Sequence, residues 1–418
     1  MSAPSPPHPV RLVVRDDLRR RRLTVFFRLL LALPQLVWAT LFGTAAFMLA
    51  FVVWLAVLFE RRAPASLHGF LAGYVRYTVH LTAYLCLAAD PYPGFTGGKP
   101  YPVDVEIDPP APQGRLGAAF RLLLALPAFA LASSLAGSMA AGSSFGGSVG
   151  SAAGGLAITV GVLGWFAALA RARMPRGMRD AAAFAIGYGA QTTAYALMLT
   201  DRYPDATPGK ADPPPELPEH PVSIAIDRDR KRPRLLVLFR FPLVVPHLLW
   251  LTLWFVPVVL ATVVAWVVAL ARGRVPGLLH RFVASFVRAV THVSAFLLVV
   301  GRPFPGFLGR EGSYPIDLTI APAARQPRLG VLFRGFLLLP ALLLSSAYGG
   351  VAFVAAVLGW CAALVTGRMP PSLRDLAGVS LRYQAQVTAY ALLLTARYPD
   401  SSPALERPRP LELEAAPA

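Results

Sequence analysis

Charged residues and cysteines are both scarce in this chain of 418 residues. Charged residues make up 15% of the sequence and apolar residues 55%, a balance that excludes an ordinary soluble globular domain. Cys86 and Cys361 lie far apart in apolar surroundings, which argues against a disulfide framework and against a thiolate metal site. The amino terminus lacks the apolar stretch of a cleavable signal peptide, so we expect the first hydrophobic segment to stay in the mature protein.

Most of the charges present are positive. Lys and Arg number 40 against 22 Asp and Glu, giving a formal net charge of +18. In a membrane protein this excess must lie outside the hydrocarbon, where anionic headgroups attract it. The charge therefore predicts membrane lipids as partners and no nucleic acid. The basic run Arg19–Arg22 predicts a cytoplasmic amino terminus and a place in the cell (plasma) membrane.

One pattern recurs four times along the chain. Each repeat unit opens with a proline and a short alternating stretch of β-branched residues, which predicts a strand. A Phe-Arg pair follows, and later a tryptophan, an Arg-x-Pro and an Ala-Tyr or Ala-Phe. We expect the arginines of the Phe-Arg and Arg-x-Pro motifs to contact headgroups and set orientation: Arg28, Arg121, Arg240 and Arg334, then Arg62, Arg173, Arg274 and Arg368.

The spacing of these motifs sets the predicted boundaries. Repeat unit 1 covers 1–100, unit 2 covers 101–212 with a Gly/Ser-rich insert at 133–155, unit 3 covers 213–313 and unit 4 covers 314–405. A Pro/Glu-rich tail occupies 406–418. Units two and four share endings that units one and three lack, so we infer that a pair of unlike units was duplicated as a pair.

The motifs FRxxxxxP, a Trp-rich apolar stretch, R-x-P and AY-LLLT-x-RYP resemble a family of bacterial membrane proteins known as domain of unknown function 4389. The resemblance covers nearly the whole chain as four tandem copies, with units two and four closest. Units one and three depart at their ends, where Pro91 and Pro303 replace the arginine. The resemblance implies a membrane protein and implies no activity.

Each unit contains one long uncharged run. The run between Arg28 and Glu60 has 31 residues, and the run between Arg121 and Arg171 has 49. One crossing needs roughly 20 apolar residues, so we predict a helical hairpin in each unit, with Gly43-Thr44 and Gly349-Gly350 as candidate turns. A third helix follows each Arg-x-Pro.

The sequence leaves two alternatives for the third helices. If they cross the bilayer, the protein has twelve spans; if they do not, it has eight spans and four membrane-associated helices. The predicted fold is an all-α polytopic membrane protein of four quasi-repeats, each a short strand, a helical hairpin and a third helix. The strands can pair into a small surface β-sheet, since isolated strand edges need partners.

The third helices contain the polar residues that bear most on function. Spacing of four places each pair on one helical face. These faces can line a polar pathway, lie at the interface with arginines on lipid phosphates, or form hydrogen bonds between helices. The two histidines are expected to be hydrogen-bonded partners, because neither has a carboxylate or cysteine at ligand spacing. The candidate intramembrane polar face comprises Arg76, His80, Gln191, Arg288, His292, Arg382 and Gln386.

No motif in the chain indicates catalysis. Gly142, Gly146, Gly150 and Gly154 form a four-spaced row, which is typical either of close helix packing or of a flexible tip. The row includes a formal G-x-S-x-G match without the strand and partners that a nucleophile elbow needs. We therefore predict no enzymatic activity, no cofactor and no metal site.

Two classes of function remain open on the sequence. The first is a scaffold or lipid-interacting membrane protein without transport. The second is a channel or transporter whose polar pathway is formed by the third helices, with repeats that bracket a midplane site.

Overall fold

The computed structural model describes residues 7–98, 100–137, 155–209, 220–226 and 232–404. The chain is mostly helical and forms two compact lobes. The first lobe comprises Met1–Gly209, Leu343–Val354 and Ser401–Pro403, and the second comprises Lys210–Leu342, Ala355–Asp400 and Ala404–Ala418. The predicted glycine row at 142–154 and the predicted tail at 406–418 lie outside the described residues.

Four short strands form two antiparallel sheets of two strands each. In the first lobe β1 (Val10–Val14) pairs with β2 (Val103–Ile107), and in the second lobe β3 (Val222–Ile226) pairs with β4 (Ile316–Ile320). The prediction of strands at these positions, and of their pairing, is confirmed. The alternating β-branched residues and the proline before each strand explain why the sequence extends here.

The helices follow each strand in a recurring order of short helix, long helix and third helix. After β1 come α1 (Arg22–Phe26), α2 (Arg28–Glu60) and α3 (Ala65–Leu85), and after β2 come α4 (Arg115–Ala119), α5 (Arg121–Ala136), α6 (Leu156–Arg171) and α7 (Arg176–Ala196). After β3 come α8 (Arg234–Leu238), α9 (Arg240–Arg272) and α10 (Gly277–Leu297), and after β4 come α11 (Arg328–Leu332), α12 (Arg334–Thr366) and α13 (Pro371–Ala391).

The predicted helical hairpins are wrong in three of the four repeat units. Gly43-Thr44 lies inside α2 and Gly349-Gly350 lies inside α12, and both helices run on for 33 residues. A glycine inside a helix costs only about 1 kcal/mol relative to alanine, so it does not impose a turn. Helix α2 ends only at Arg61, which has the left-handed φ of 60°. The two predicted numbers of membrane spans, twelve and eight, both assumed a hairpin in each unit and are therefore wrong as well.

The insert of the second repeat unit divides what is a single long helix elsewhere. Helices α5 and α6 have 16 residues each, and they end and begin at Gly137 and Gly155. A Cβ built on Gly155 would lie 2.1 Å from the backbone nitrogen of Gly137. The two glycines are therefore in backbone contact, which a side chain would prevent, and the insert leaves and rejoins the chain at one place.

Three of the described helices are long and apolar enough to cross a membrane: α2, α9 and α12. Helix α2 buries a narrow stripe that recurs every three or four residues and includes Ala32, Ala39 and Ala46. Its other faces expose large apolar side chains, and Phe47 is 78% exposed. The chain covers one edge of this helix and leaves its other faces exposed.

Consecutive repeat units exchange contacts within each lobe. Trp54 on α2 donates its indole N–H to the Ala118 carbonyl on α4 at 3.0 Å, and Trp165 on α6 donates to the Val25 carbonyl on α1 at 2.9 Å. The second lobe repeats the exchange, with Trp266 bonded to Val331 and Trp360 bonded to Val237. Each long helix therefore packs against the short helix of the next or preceding unit.

The loop after α3 is held against both α2 and α3. Gln35 and Trp38 on α2 donate to carbonyls of this loop, each at 2.6 Å. Gly97 has φ +67°, and a Cβ there would lie 2.6 Å from the Gly73 carbonyl oxygen on α3. Gly309, in the corresponding loop after α10, has φ +55° and lies against the backbone of α10 in the same way.

Replacing either loop glycine should destabilise its lobe. We expect Gly97→Ala and Gly309→Ala each to lower the free energy of unfolding by about 1–2 kcal/mol or more, because the left-handed backbone and the helix contact both oppose a Cβ. Thermal unfolding of the detergent-solubilised protein measures this. Gly94→Ala and Gly306→Ala are matched controls, since nothing lies within 4 Å of either added Cβ. Equal loss in the controls would contradict the explanation.

Candidate functional site

The polar face of α3 lies against strand β2. His80 is buried, and its Nε2 lies 3.0 Å from Asp104 Oδ1. Arg76, one turn earlier, places its Nε 3.4 Å from the Val105 carbonyl and 3.6 Å from the same carboxylate oxygen. Asp104 also accepts the Val105 backbone N–H at 2.8 Å. One strand carboxylate therefore joins both polar residues of the helix.

The second lobe contains the same cluster on α10 and β4. His292 Nε2 lies 3.1 Å from Asp317 Oδ1. Arg288 donates to the Leu318 carbonyl at 2.9 Å and to Glu311 Oε2 at 2.7 Å. The corresponding bonds in two lobes indicate that the arrangement is a property of the repeated sequence.

The two imidazoles are buried, each stacks on a tyrosine ring, and burial favours their neutral form. His80 stacks on Tyr101 with 4.4 Å between ring centroids, and His292 stacks on Tyr314 at 4.9 Å. Burial lowers the pKa of both histidines below the ordinary 6.5, although the neighbouring aspartates oppose the shift and the neighbouring arginines add to it. A neutral imidazole that donates Nε2–H to the carboxylate leaves Nδ1 without a hydrogen-bond partner among the described residues.

Glutamine replaces histidine in the even repeat units and also bonds to a strand. Gln191 on α7 donates to the Val10 carbonyl at 3.1 Å, and Gln386 on α13 donates to the Val222 carbonyl at 3.0 Å. Each amide oxygen accepts a backbone N–H, from Asp205 and Asp400 respectively, at 2.9 Å. These side chains dock the third helices onto the sheets.

All seven residues of the predicted polar face therefore contact strands or loops of their own lobe. The seventh, Arg382, donates to the Ala404 carbonyl at 2.6 Å. These contacts are hydrogen bonds inside the protein, but they join helices to strands and loops, whereas the prediction had them between helices. No group of three or more His, Cys, Asp or Glu with metal-ligand geometry occurs in the part of the chain described.

Sequence reasoning missed the acidic partners Asp104, Asp317 and Glu311. The signal was present for two of them, because each histidine-bearing helix is followed by a Tyr-Pro-x-Asp strand motif. In the even units glutamine takes the place of this histidine, and no such aspartate motif follows the third helix. The joint occurrence of the histidine and the aspartate could therefore have predicted their contact. Glu311 lies in an irregular loop, and no spacing rule points to it.

The four Phe-Arg arginines are buried, contrary to the prediction that they contact headgroups. Arg28 is 2% exposed and donates to the carbonyl of Tyr84 at 2.7 Å and to Asp90 Oδ1 at 3.0 Å. Its guanidinium carbon lies 4.3 Å from the centre of the Tyr84 ring. The corresponding stacked pairs are Arg121 on Tyr195, Arg240 on Phe296 and Arg334 on Tyr390.

The physical reason is the unsatisfied carbonyls at the end of each third helix. The last four carbonyls of a helix lack intrahelical donors, and a guanidinium has five N–H groups and a flat face for an aromatic ring. Arg240 donates to the Phe296 and Gly301 carbonyls, and Arg334 to the Tyr390 and Thr395 carbonyls. These arginines fasten the start of each long helix to the end of a third helix.

The Arg-x-Pro arginines Arg62, Arg173, Arg274 and Arg368 are exposed where the long helices end. Headgroup contact stays a prediction for them. A further set of arginines on the short helices donates to carbonyls in the last turns of the long helices at 2.8–3.0 Å: Arg22 to Ala170, Arg115 to Phe59, Arg234 to Val365 and Arg328 to Ala271. Cations at helix carboxyl ends are favourable.

The long helices of the first lobe carry an extended apolar surface that the described residues leave exposed. On α2 it includes Leu29, Phe47, Met48, Phe51 and Phe59, each at least 60% exposed. The helices α5 and α6 add Leu122, Leu123 and Phe166 at similar exposure. An exposed apolar surface of this extent, together with the three apolar helices long enough to cross a bilayer, is compatible with a membrane protein.

The family described as Domain of unknown function (DUF4389) matches residues 22–96 and 328–401. These ranges correspond to repeat units one and four, so the expectation that units two and four are closest is met only for unit four. The match supports the predicted family resemblance in two places of the four. No curated protein and no solved structure matches the chain.

A buried Phe-Arg arginine should not be replaceable by lysine. We expect Arg28→Lys to lower the free energy of unfolding by at least about 2 kcal/mol, because charge-assisted hydrogen bonds of roughly 1.5–3 kcal/mol each are lost with the ring stacking. Chemical unfolding in detergent measures this. Arg62→Lys, on the exposed end of α2, is the matched control and should change stability by less than about 0.5 kcal/mol.

The two buried histidines should make stability fall in acid. Their pKa values are lower in the folded than in the unfolded protein, so the unfolded state binds more protons and stability is lost as pH falls below about 6.5. Glutamine occupies these positions in the even units. We expect the double variant His80→Gln with His292→Gln to reduce the slope of stability against pH by up to about 1.4 kcal/mol per pH unit for each histidine. Thermal unfolding between pH 7.5 and 5 tests it. An unchanged slope would count against neutral, buried imidazoles.

Proposed function

We propose that this protein is a non-enzymatic membrane protein that binds a lipid surface and serves as a scaffold there. The observation that carries the proposal is the uncovered apolar surface of the long helices, bounded by arginines. A fully buried Leu or Phe contributes roughly 1.5–3 kcal/mol, and α2 alone exposes ten such side chains. A bilayer offers these side chains the environment that water does not.

Anionic headgroups are the polar partners that the charge favours. Arg61, Arg62, Arg171 and Arg173 are exposed at the ends of α2 and α6. Each Lys or Arg near an anionic surface contributes about 1 kcal/mol. We place the protein in a bacterial cell membrane with a cytoplasmic amino terminus, on the charge of Arg19–Arg22 and on the resemblance, and we interpret the recurring elements as four repeat units of common origin.

Transport is the weaker alternative. A polar pathway needs side chains that are available to a solute, but the seven polar residues of the third helices are engaged with strands and loops. This engagement supports a structural role for them. We therefore propose neither a solute nor a reaction.

The charge at the helix ends should set the preference for anionic lipid. We expect Arg62→Gln with Arg173→Gln to weaken the affinity for an anionic lipid at these helix ends by about thirtyfold, since two headgroup contacts of about 1 kcal/mol each are removed. The amount of anionic lipid that co-purifies from vesicles of one anionic and four zwitterionic lipids measures this.

The matched control neutralises two arginines in the strand region. Arg11→Gln with Arg15→Gln removes the same charge and should leave lipid enrichment within about twofold of the unmodified protein. Equal loss in both double variants would mean that net charge and not position is responsible. Protein that stays in solution without detergent or vesicles would overturn the proposed function itself.

A further inference from the structure

The two repeat units of the first lobe are related by a local twofold axis. The strand register is self-complementary, because Val10 pairs with Ile107 while Val14 pairs with Val103. The indole bonds of Trp54 and Trp165 are exchanged in the same way, as are the helix-end bonds of Arg115 and Arg22. Contacts of this reciprocal kind define a twofold relation.

The direction of this axis follows from the strands. In an antiparallel pair the twofold axis is perpendicular to the sheet, and here it passes through the central pair Leu12 and Val105. The strands pack on α3 and α7, which in turn support the long helices: α2 lies on α3, and α5 lies on α7. The sheet therefore lies at one end of the axis and the long helices at the other.

Rotation about a twofold axis does not change the position of an atom along that axis. This determines where the ends of the long helices lie along the axis. The start of α2 and the end of α6 meet near Arg22, whose side chain bonds to Ala170. The start of α5 and the end of α2 meet near Arg115, whose side chain bonds to Phe59. The axis exchanges these two meeting points, so they lie at equal height.

If α2 crossed the bilayer, the two meeting points would lie on opposite sides and the axis would lie in the midplane. The sheet would then sit at the centre of the hydrocarbon with Arg11, Glu106 and Asp108 partly exposed, at 39%, 47% and 45% of their side chains. A charged residue at that depth costs about 2.5–3.5 kcal/mol or more. Open strand edges do not occur in contact with lipid.

Length leads to the same conclusion. A helix of 33 residues extends about 50 Å, whereas the hydrocarbon is about 30 Å thick. For the whole helix to fit within the hydrocarbon it would have to tilt by about 50° from the membrane normal, beyond the usual range of about 0–40°. A helix that lies along the surface has no such limit.

We propose that each lobe lies in a single leaflet, with its long helices parallel to the membrane plane, its third helices above them and its sheet in water. The proposal rests on the proposed function and replaces the multi-pass arrangement predicted from the sequence. The exposed apolar side chains of α2 then enter the acyl region, and both arginine-bearing ends reach headgroups of the same leaflet.

The second lobe shows the same reciprocal contacts between its two units. Val222 pairs with Ile320 while Ile226 pairs with Ile316, which is again a self-complementary register. Trp266 and Trp360 exchange indole bonds, and Arg234 and Arg328 exchange helix-end bonds. Its local axis therefore also runs from a sheet to the ends of long helices at equal height.

Double-cysteine labelling tests the proposal without knowledge of the insertion direction. Glu60→Cys and Arg171→Cys place thiols at the exposed carboxyl ends of α2 and α6, which belong to opposite meeting points. Cys361→Ser removes the exposed native thiol, and Cys86 is buried with its pKa raised to about 12 by desolvation, so it stays silent. The full chain is reconstituted in sealed vesicles and treated from outside with a membrane-impermeant maleimide. The number of labels on each molecule is then read from its intact mass by mass spectrometry.

The proposal predicts molecules with two labels or none, according to their insertion direction, and two labels on every molecule after detergent is added. A population that carries one label per molecule places the two ends on opposite sides and overturns the proposal while the proposed membrane function stands. Protein that fails to float with the vesicles overturns the proposed function and, with it, this inference.

Discussion

Two incompatible surfaces constrain every other feature of the first lobe. The open edges of a two-stranded sheet must meet water or protein, because hydrocarbon offers no hydrogen bonds. The apolar sides of α2, α5 and α6 must avoid water. The middle helices α3 and α7 separate the two surfaces, with His80 and Gln191 turned to strands and Tyr77 turned to α2, where it bonds to Gln35.

Pairing of consecutive repeat units follows from this separation. The carboxyl half of a long helix is covered in part by the short helix of the neighbouring unit, through the bonds of Trp54 and Trp165. The paired sheet likewise needs one strand from each unit. A lone unit would leave an indole, a strand edge and a helix end without the partners that the second unit supplies.

Local patterns predicted the strands and the third helices well. Alternation after a proline located β1 to β4, and Pro64 and its counterparts are the N-cap residues that mark the starts of the third helices. The long run was misread because its length was compared with bilayer thickness, which decides the number of helices only if they cross. Nothing local distinguishes an uncharged run that crosses from one that lies flat.

The buried arginines show where reasoning from one sequence stops. Arg28 is surrounded by leucines in sequence, so contact with lipid headgroups was a reasonable hypothesis, yet its partner Tyr84 comes from the end of another helix. The aromatic residue that accepts the guanidinium recurs in all four units. The recurrence was visible in the sequence, but the contact depends on how the long and third helices pack, which no spacing rule supplies.

The most direct test of this account is the depth of α2 in the bilayer, measured with nitroxides attached at Leu29→Cys, Met48→Cys and Phe59→Cys, three positions that face away from the protein. The account predicts similar depths at all three positions, within about 10 Å of the headgroup boundary of one leaflet. A profile with Met48 near the bilayer centre and Leu29 and Phe59 near opposite headgroups would contradict it.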